Sequence, residues 1–184
     1  VTSGPDNAWH RPGANTYRLR VETLTAAQIR ASFVNCSKGE AKRANLPDLD
    51  AVPWADLDFL GWVDPSGSSR AYLVAERDGE PVGLLLRQNP AGKGQARRSK
   101  LCEVCLTAHT DTGVCLTVAA KTGAAGKRGD TTGIYICRDL SCSLYARGKK
   151  ASGVPKLRET LPVEAMVERT RSNLDDFLRR VLAG

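Results

Sequence analysis

The residues in this sequence best suited to chemistry are two close cysteine pairs. They are Cys102-Glu103-Val104-Cys105 and Cys137-Arg138-Asp139-Leu140-Ser141-Cys142, about thirty residues apart. A zinc ion takes four soft ligands in a tetrahedron, and a tight turn presents two thiolates at once. The spacing therefore predicts a structural Zn2+ site with Cys102, Cys105, Cys137 and Cys142 as its ligands. The competing readings are two disulfides, or reduced core cysteines. The first residues contain no apolar export segment, so the chain is expected in the reducing cytoplasm, where close cysteines bind metal more often than they pair. Of the remaining candidates, Cys36 has no cysteine neighbour and reads as a free thiol. Cys115 sits inside an alternating run and reads as packing. His109, four residues past Cys105, is an alternative ligand, but four cysteines make the simpler closed site.

The elements that must position these ligands are legible around them. Asp139 is a good N-cap, and Leu140 to Arg147 can continue as a short helix stopped by Gly148. Cys142 then falls at the third helical position, near free backbone N–H groups that favour a thiolate. Thr132 to Ile136 reads as the strand that delivers Cys137. Val114 to Ala119 reads as its partner. The basic, glycine-rich connection Lys121 to Asp130 reads as a solvated hairpin tip or a contact loop. It fails as a phosphate loop, because Lys127 is followed by Arg128 and then by a strand. Knuckle, hairpin and helix, with the last ligand in the helix's first turn, make a treble clef.

The rest of the chain supplies the surroundings. Residues 1–20 read as a flexible extension. Residues 21–92 read as a helical part with a β-hairpin. Thr25 to Gln28 and Ser37 to Glu40 are capping boxes that start two short helices. Pro53 to Leu57 reads as one helical turn. Ala71 to Ala75 and Val82 to Leu86 read as strands joined by a tight turn at Asp78-Gly79, with Pro81 at an edge or a strand start. A glycine-rich basic stretch, Asn89 to Arg98, marks the boundary to the zinc module at 93–150. Residues 151–184 form a C-terminal amphipathic helix, Pro162 to Leu182, with an apolar stripe at Val163, Val167, Thr170, Leu174, Phe177, Leu178 and Val181. That stripe is expected to pack back on the N-terminal part. The fold class is thus α+β.

The charge is uneven. The sequence carries a formal net charge of +7, and residues 93–150 hold eleven Lys or Arg against four Asp or Glu, so that segment carries the whole excess. A basic surface meets an acidic partner, either RNA or an acidic protein face. The other use of those cations is to neutralise the zinc–thiolate centre, for which Lys100, Arg138 and Arg147 are near in sequence. No apolar run reaches the roughly 18 residues of a membrane span, so no membrane partner is expected. An enzyme is disfavoured. There are two histidines, no nucleophile–base set, and a zinc closed by four cysteines has no open position for water.

Four stretches together resemble the FBP-type family of elongation factor G-binding proteins, which includes the fusidic acid resistance proteins of staphylococci. They are Ile29 to Ala41, Asp58-Phe59-Leu60-Gly61-Trp62, Cys102 to Thr107, and Tyr135 to Tyr145 with Cys137 and Cys142 inside it. The match looks closest to the short actinobacterial members. The resemblance implies a helical N-terminal part, a C-terminal treble-clef zinc domain, and the four cysteines as its ligands. It also implies a cytoplasmic, non-enzymatic role: binding elongation factor G through the zinc domain and helping it leave a stalled ribosome, as an antibiotic-resistance mechanism in some members. Aromatic and basic residues around the zinc module are the implied contacts, here Lys100, Arg128, Tyr135, Arg138, Tyr145 and Arg147. Glu103 departs from the resistance members, which resemble one another in carrying an aromatic residue there. The chain is expected to act as a monomer. The alternative reading of the same charges is an RNA- or ribosome-binding zinc finger.

Overall fold

The computed structural model describes residues 21–90, 100–110, 112–154 and 160–184. The expected N-terminal extension and most of the basic stretch before the zinc module lie outside these residues. Both expected capping boxes form. Thr25 and Gln28 cap α1 (Ala26–Ser32), and Ser37 and Glu40 cap α2 (Lys38–Lys42), each pair exchanging side-chain and backbone hydrogen bonds. These caps matter because helices this short do not hold themselves. The turn at Trp54–Asp56 is a 3-10 turn.

Beyond that turn the chain is mostly sheet. Strands β1 (Leu60–Val63), β2 (Arg70–Arg77) and β3 (Glu80–Gln88) run antiparallel. Asp78 and Gly79 both have positive φ (54° and 83°), the conformation of a two-residue hairpin whose twist suits the strands. Strands β4 (Lys100–Leu101) and β5 (Ala108–His109) form a separate small pair. Strand β6 (Val114–Ala120) then joins β3, and β7 (Thr131–Cys137) joins β6. One antiparallel sheet of order β1-β2-β3-β6-β7 results. It crosses the stretch where the sequence suggested a boundary. The N-terminal part thus contributes three strands as well as short helices.

Strand β3 pairs with β6 only over Leu86 to Gln88. Above that point the outward groups of β3 need other partners. The chain leaving α1 supplies them. Val34 N–H donates to the Gly83 carbonyl (3.0 Å). The Asn35 amide accepts from Leu85 N–H (2.8 Å) and donates to the carbonyls of Leu85 (3.0 Å) and Ala120 (3.1 Å), so it plugs the gap between the two strands. Gly83 is required there, since a Cβ would lie 2.4 Å from the Ser32 hydroxyl. Pro81 stands at the start of β3, paired with Glu76.

The connection Lys121 to Asp130 is not a solvated tip. It contains α3 (Gly123–Lys127), and Thr122 ties it down, donating its N–H to the Val181 carbonyl (3.0 Å) and its hydroxyl to the Leu182 carbonyl (3.1 Å). Those carbonyls end α5 (Val163–Leu182), the long C-terminal helix. Its stripe of Leu174, Phe177, Leu178 and Val181 is buried in one cluster with Leu73, Leu84, Leu86, Ala119, Ile134 and Ile136 from one face of the sheet. Burying each such side chain contributes about 1.5–3 kcal/mol, which is what fixes the helix on the sheet. Val163, expected to open the stripe, is exposed.

On the other face, among the described residues, Ile29, Val21 and Ala44 pack on Leu60, Trp62, Tyr72 and Val74 of β1 and β2. A polar knot sits inside this cluster. Trp62 stacks on Tyr72, ring centroids 5.0 Å apart, and donates its indole N–H to the Asn45 carbonyl (2.7 Å). Asp64 accepts hydrogen bonds from the Asn45 amide (3.0 Å), Ser66 N–H (3.0 Å) and the Tyr72 hydroxyl (3.1 Å). Burial alone would raise the Asp64 pKa, but these donors reverse the effect and hold it at about 2. Burial first, and then the Asp64 carboxylate, push Tyr72 up to about 12. Because the folded value lies above the unfolded value of about 10, the stability contributed by neutral Tyr72 is complete below about pH 10 and is lost as pH rises through 12. The gap in urea midpoint between the wild type and Tyr72→Phe should therefore stay constant up to about pH 10 and shrink above it. A gap that does not change between pH 9 and 12 contradicts this.

Candidate metal centre

Each ligand pair is held by a turn that bends the chain back on itself. In the first knuckle the Leu106 N–H donates to the Cys102 carbonyl (2.9 Å), Cys102 N–H donates to the Thr107 carbonyl (3.0 Å), and Cys105 N–H points at the Cys102 sulfur (3.4 Å). In the second, Leu140 N–H donates to the Cys137 carbonyl (2.9 Å). Leu106 and Leu140 both adopt positive φ (54° and 56°), which costs a leucine about 1–2 kcal/mol. Packing offsets that cost at Leu140. It is buried and lies against β1, where a Cβ on Gly61 would come within 2.6 Å of its Cβ.

That left-handed residue also corrects the expected helix. Helix α4 spans Cys142–Ala146, with Ser141 as the preceding residue, so Cys142 is its first residue and not its third. Asp139 does not cap it. Its carboxylate accepts from Ser141 N–H (3.1 Å) and the Tyr145 hydroxyl (2.9 Å), closing the turn that leads into the helix.

The four sulfurs converge. Cys102 and Cys142 are 3.7 Å apart, Cys105 and Cys137 are 3.5 Å apart, and all four lie within 4.8 Å of one another. Thiolates bound tetrahedrally at about 2.3 Å would sit about 3.8 Å apart, so the spacing fits zinc. All four cysteines are free thiols and buried, which removes the disulfide reading. They cannot all ionise unaided in so small a space. The Cys105 thiol is driven down, chiefly by hydrogen bonding with Cys102, while burial drives Cys142 up. A bound dication removes that conflict by favouring the thiolate at every position. The site therefore holds a structural Zn2+ ion.

His109 lies beside the ligands, not among them. It sits on β5 opposite Lys100, with Nε2 3.2 Å from the Cys137 sulfur. Burial pushes its pKa down. Cys115 is buried in β6, its sulfur 3.5 Å from the Thr117 hydroxyl. Cys36 is half-buried, and burial together with the nearby Glu40 raises its pKa, so it is a poor nucleophile.

A closed four-cysteine zinc centre, built from a knuckle, a hairpin and a short helix, defines a treble-clef zinc-finger protein. The chain matches the model of the FBP C-terminal treble-clef zinc-finger family over residues 28–181, and it belongs to that family. No curated protein and no solved structure matches it.

The residues expected to contact a partner fall into three groups. Arg128 and Tyr135 point outward, with Arg128's side chain 70% exposed and Tyr135 43% exposed. Lys100 and Arg138 are half-buried; Arg138 donates to the carbonyls of Thr112 (2.8 Å) and Asn89 (3.2 Å). Tyr145 and Arg147 point inward. Tyr145 holds Asp139, and Arg147 meets Asp58 in a two-pronged ion pair at 2.5 and 2.9 Å.

Asp58 is an important residue that the motifs alone do not single out. It is fully buried. Besides Arg147, it accepts from the Arg171 guanidinium of α5 (2.8 Å), and its own N–H donates to the Ser143 hydroxyl of α4 (3.0 Å). One carboxylate thus ties the β1 entry, the zinc helix and the C-terminal helix together. Its signal in the sequence is an aspartate inside the apolar run Leu57 to Leu60.

Stripping the metal with a strong chelator, or making Cys105→Ser, should abolish cooperative melting of the sheet as well as of the knuckles, because the ligands share its core. Circular dichroism and melting that survive complete metal removal would refute a structural site. Asp58→Ala should lower the unfolding free energy by about 3–5 kcal/mol, since it leaves two inward guanidinium groups without their anion. Lys149→Ala, which breaks a half-exposed pair with Asp56, should cost no more than about 1 kcal/mol in the same urea titration.

Proposed function

We propose that this protein is a non-enzymatic translation-associated protein of the cytoplasm that binds elongation factor G through its zinc module and promotes its release from the ribosome. The resemblance to elongation factor G-binding proteins suggests the class of partner. The observation that carries the reading to this molecule is the half of the sheet over β6 and β7 on which no described element packs opposite α5. Among the described residues, α1 with Val21 and Ala44 packs over β1 to β3, and none packs on the same face of β6 and β7. Leu116 and Tyr135 are direct cross-strand partners there, and Val118 lies beside Arg87. Tyr135 and Arg87 are exposed, and Leu116 and Val118 half-buried. An aromatic anchor on a rigid strand, flanked by aliphatic side chains and arginine, is the composition of a protein-binding hot spot.

In this reading Tyr135 is the anchor, while Arg128, Arg138 and Lys100 supply the basic surround. Tyr145 and Arg147 act indirectly, by holding the platform's shape. The zinc is structural, since four thiolates fill its coordination sphere. To release the factor, the protein must bind its off-ribosome conformation more tightly than its ribosome-bound one; equal affinity would shift nothing.

The test is a titration of fluorescently labelled protein with purified elongation factor G, with and without ribosomes, after nuclease treatment. Saturable binding that survives moderate salt supports the proposal. Tyr135→Ala should weaken binding about 10-fold or more without lowering the melting temperature. No binding to the factor, together with binding to RNA whose log affinity falls linearly with log salt, would transfer the function to RNA.

A further inference from the structure

We infer that His109 is a hydrogen-bond donor to the Cys137 sulfur and acts as a positioning residue that retains the zinc ion. Its Nε2 stands 3.2 Å from that sulfur. A metal-bound thiolate carries no proton, so the hydrogen between the two atoms belongs to the imidazole.

Three features of the fold aim the ring. Its backbone is fixed by β5, paired with Lys100 of β4. Its plane stands edge-on to Tyr145, centroids 4.7 Å apart at 88°, and Tyr145 is itself held by Asp139. Gly113 leaves it room, because a Cβ there would come within 2.6 Å of the His109 Cβ and 2.8 Å of its Nδ1. His109 is only 3% exposed, so water does not take its place at the sulfur.

The need for such a donor comes from charge. Four thiolates around a dication leave two negative charges in a buried site, and buried charge must be hydrogen-bonded. Two cations that the sequence offered for this purpose are turned elsewhere: Arg147 to Asp58, and Arg138 to backbone carbonyls. The imidazole N–H, like the Cys105 amide at the Cys102 sulfur, takes up that role. Groups of this kind around a metal set how tightly it is kept.

The experiment uses the zinc-loaded full chain. His109→Phe keeps a ring against Tyr145 and deletes the N–H; His109→Gln places an amide N–H at a similar reach. Competition with a chromogenic chelator should show zinc affinity falling about 10- to 100-fold in the Phe variant and largely recovering in the Gln variant. Zinc retention by the Phe variant equal to that of the wild type would overturn the inference. Should the Phe variant fail to fold, the wild type still decides. With 113Cd in place of zinc and 15N-labelled histidine, the His109 Hε2 proton should show a coupling to cadmium across the N–H···S bond. A direct coupling of a ring nitrogen to cadmium, or a ring protonated at Nδ1 alone, would overturn it.

Discussion

A cluster of four thiolates is stable inside a protein only while a cation holds it together. In this chain the cluster is not at the edge of the fold. Cys102, Cys105, Cys137 and Cys142 belong to the same buried cluster as Leu73 and Leu86 of the sheet and Leu174 and Phe177 of α5. The metal therefore closes the main core from one end. That arrangement explains why two leucines accept left-handed backbone conformations at the knuckles: the turns must bring sulfurs to a point, and the packing of Leu140 on Gly61 offsets the local cost.

The second constraint is the buried carboxylate of Asp58. Zinc fixes β7 to α4 through Cys137 and Cys142, but it touches neither β1 nor α5. Asp58 reaches both sides at once, through Arg147 and Ser143 on the zinc helix and Arg171 on the long helix. A buried ion pair of this kind adds little net stability over an apolar contact, yet breaking it is costly. Its use here is to specify one docking of the zinc helix against the rest of the chain. Glu103 does similar work at the open edge of β7. Its N–H donates to the Tyr135 carbonyl (2.7 Å) and its carboxylate accepts from Tyr135 N–H (3.2 Å), which closes part of a strand edge that would otherwise invite pairing.

The metal ligands are legible in the sequence because thiolate spacing is a local code. The same holds for the two capping boxes, the Asp78-Gly79 turn and the stripe of α5, each set by residues within a few positions of one another. What is not legible depends on distant partners. No local pattern marks Leu60 to Val63 as a strand; pairing with β2 makes it one. Leu140 reads as helix, and only contact with Gly61 reveals why it is left-handed. Asn35 carries no local signal, and only the divergence of β3 from β6 gives its amide a task. Lys121 to Asp130 reads as a free loop, because its anchor, the end of α5, is some sixty residues further on. His109 reads as a spare ligand. Its place as a donor to a ligand requires knowing that β5 turns it toward Cys137.

Charge is where sequence and structure differ most in meaning. The basic excess of the zinc segment suggested a surface waiting for an anion. Among the described residues, Arg147 is instead held by Asp58, Lys149 by Asp56 and Lys150 by Asp139. Two of those carboxylates lie before β1, outside the segment. Part of the apparent charge is therefore complementarity between two parts of one chain, visible as an excess only when the segment is counted alone. Arg128, which faces outward, is itself shared with Asp130. Long-range attraction of an acidic partner then adds rate more than affinity. In the proposed reading selectivity comes from contacts that exclude water, and among the described residues on the β6–β7 half of the sheet those would be Tyr135, Leu116 and Val118. This is why loss of one aromatic ring is expected to matter more to recognition than loss of any one surface cation.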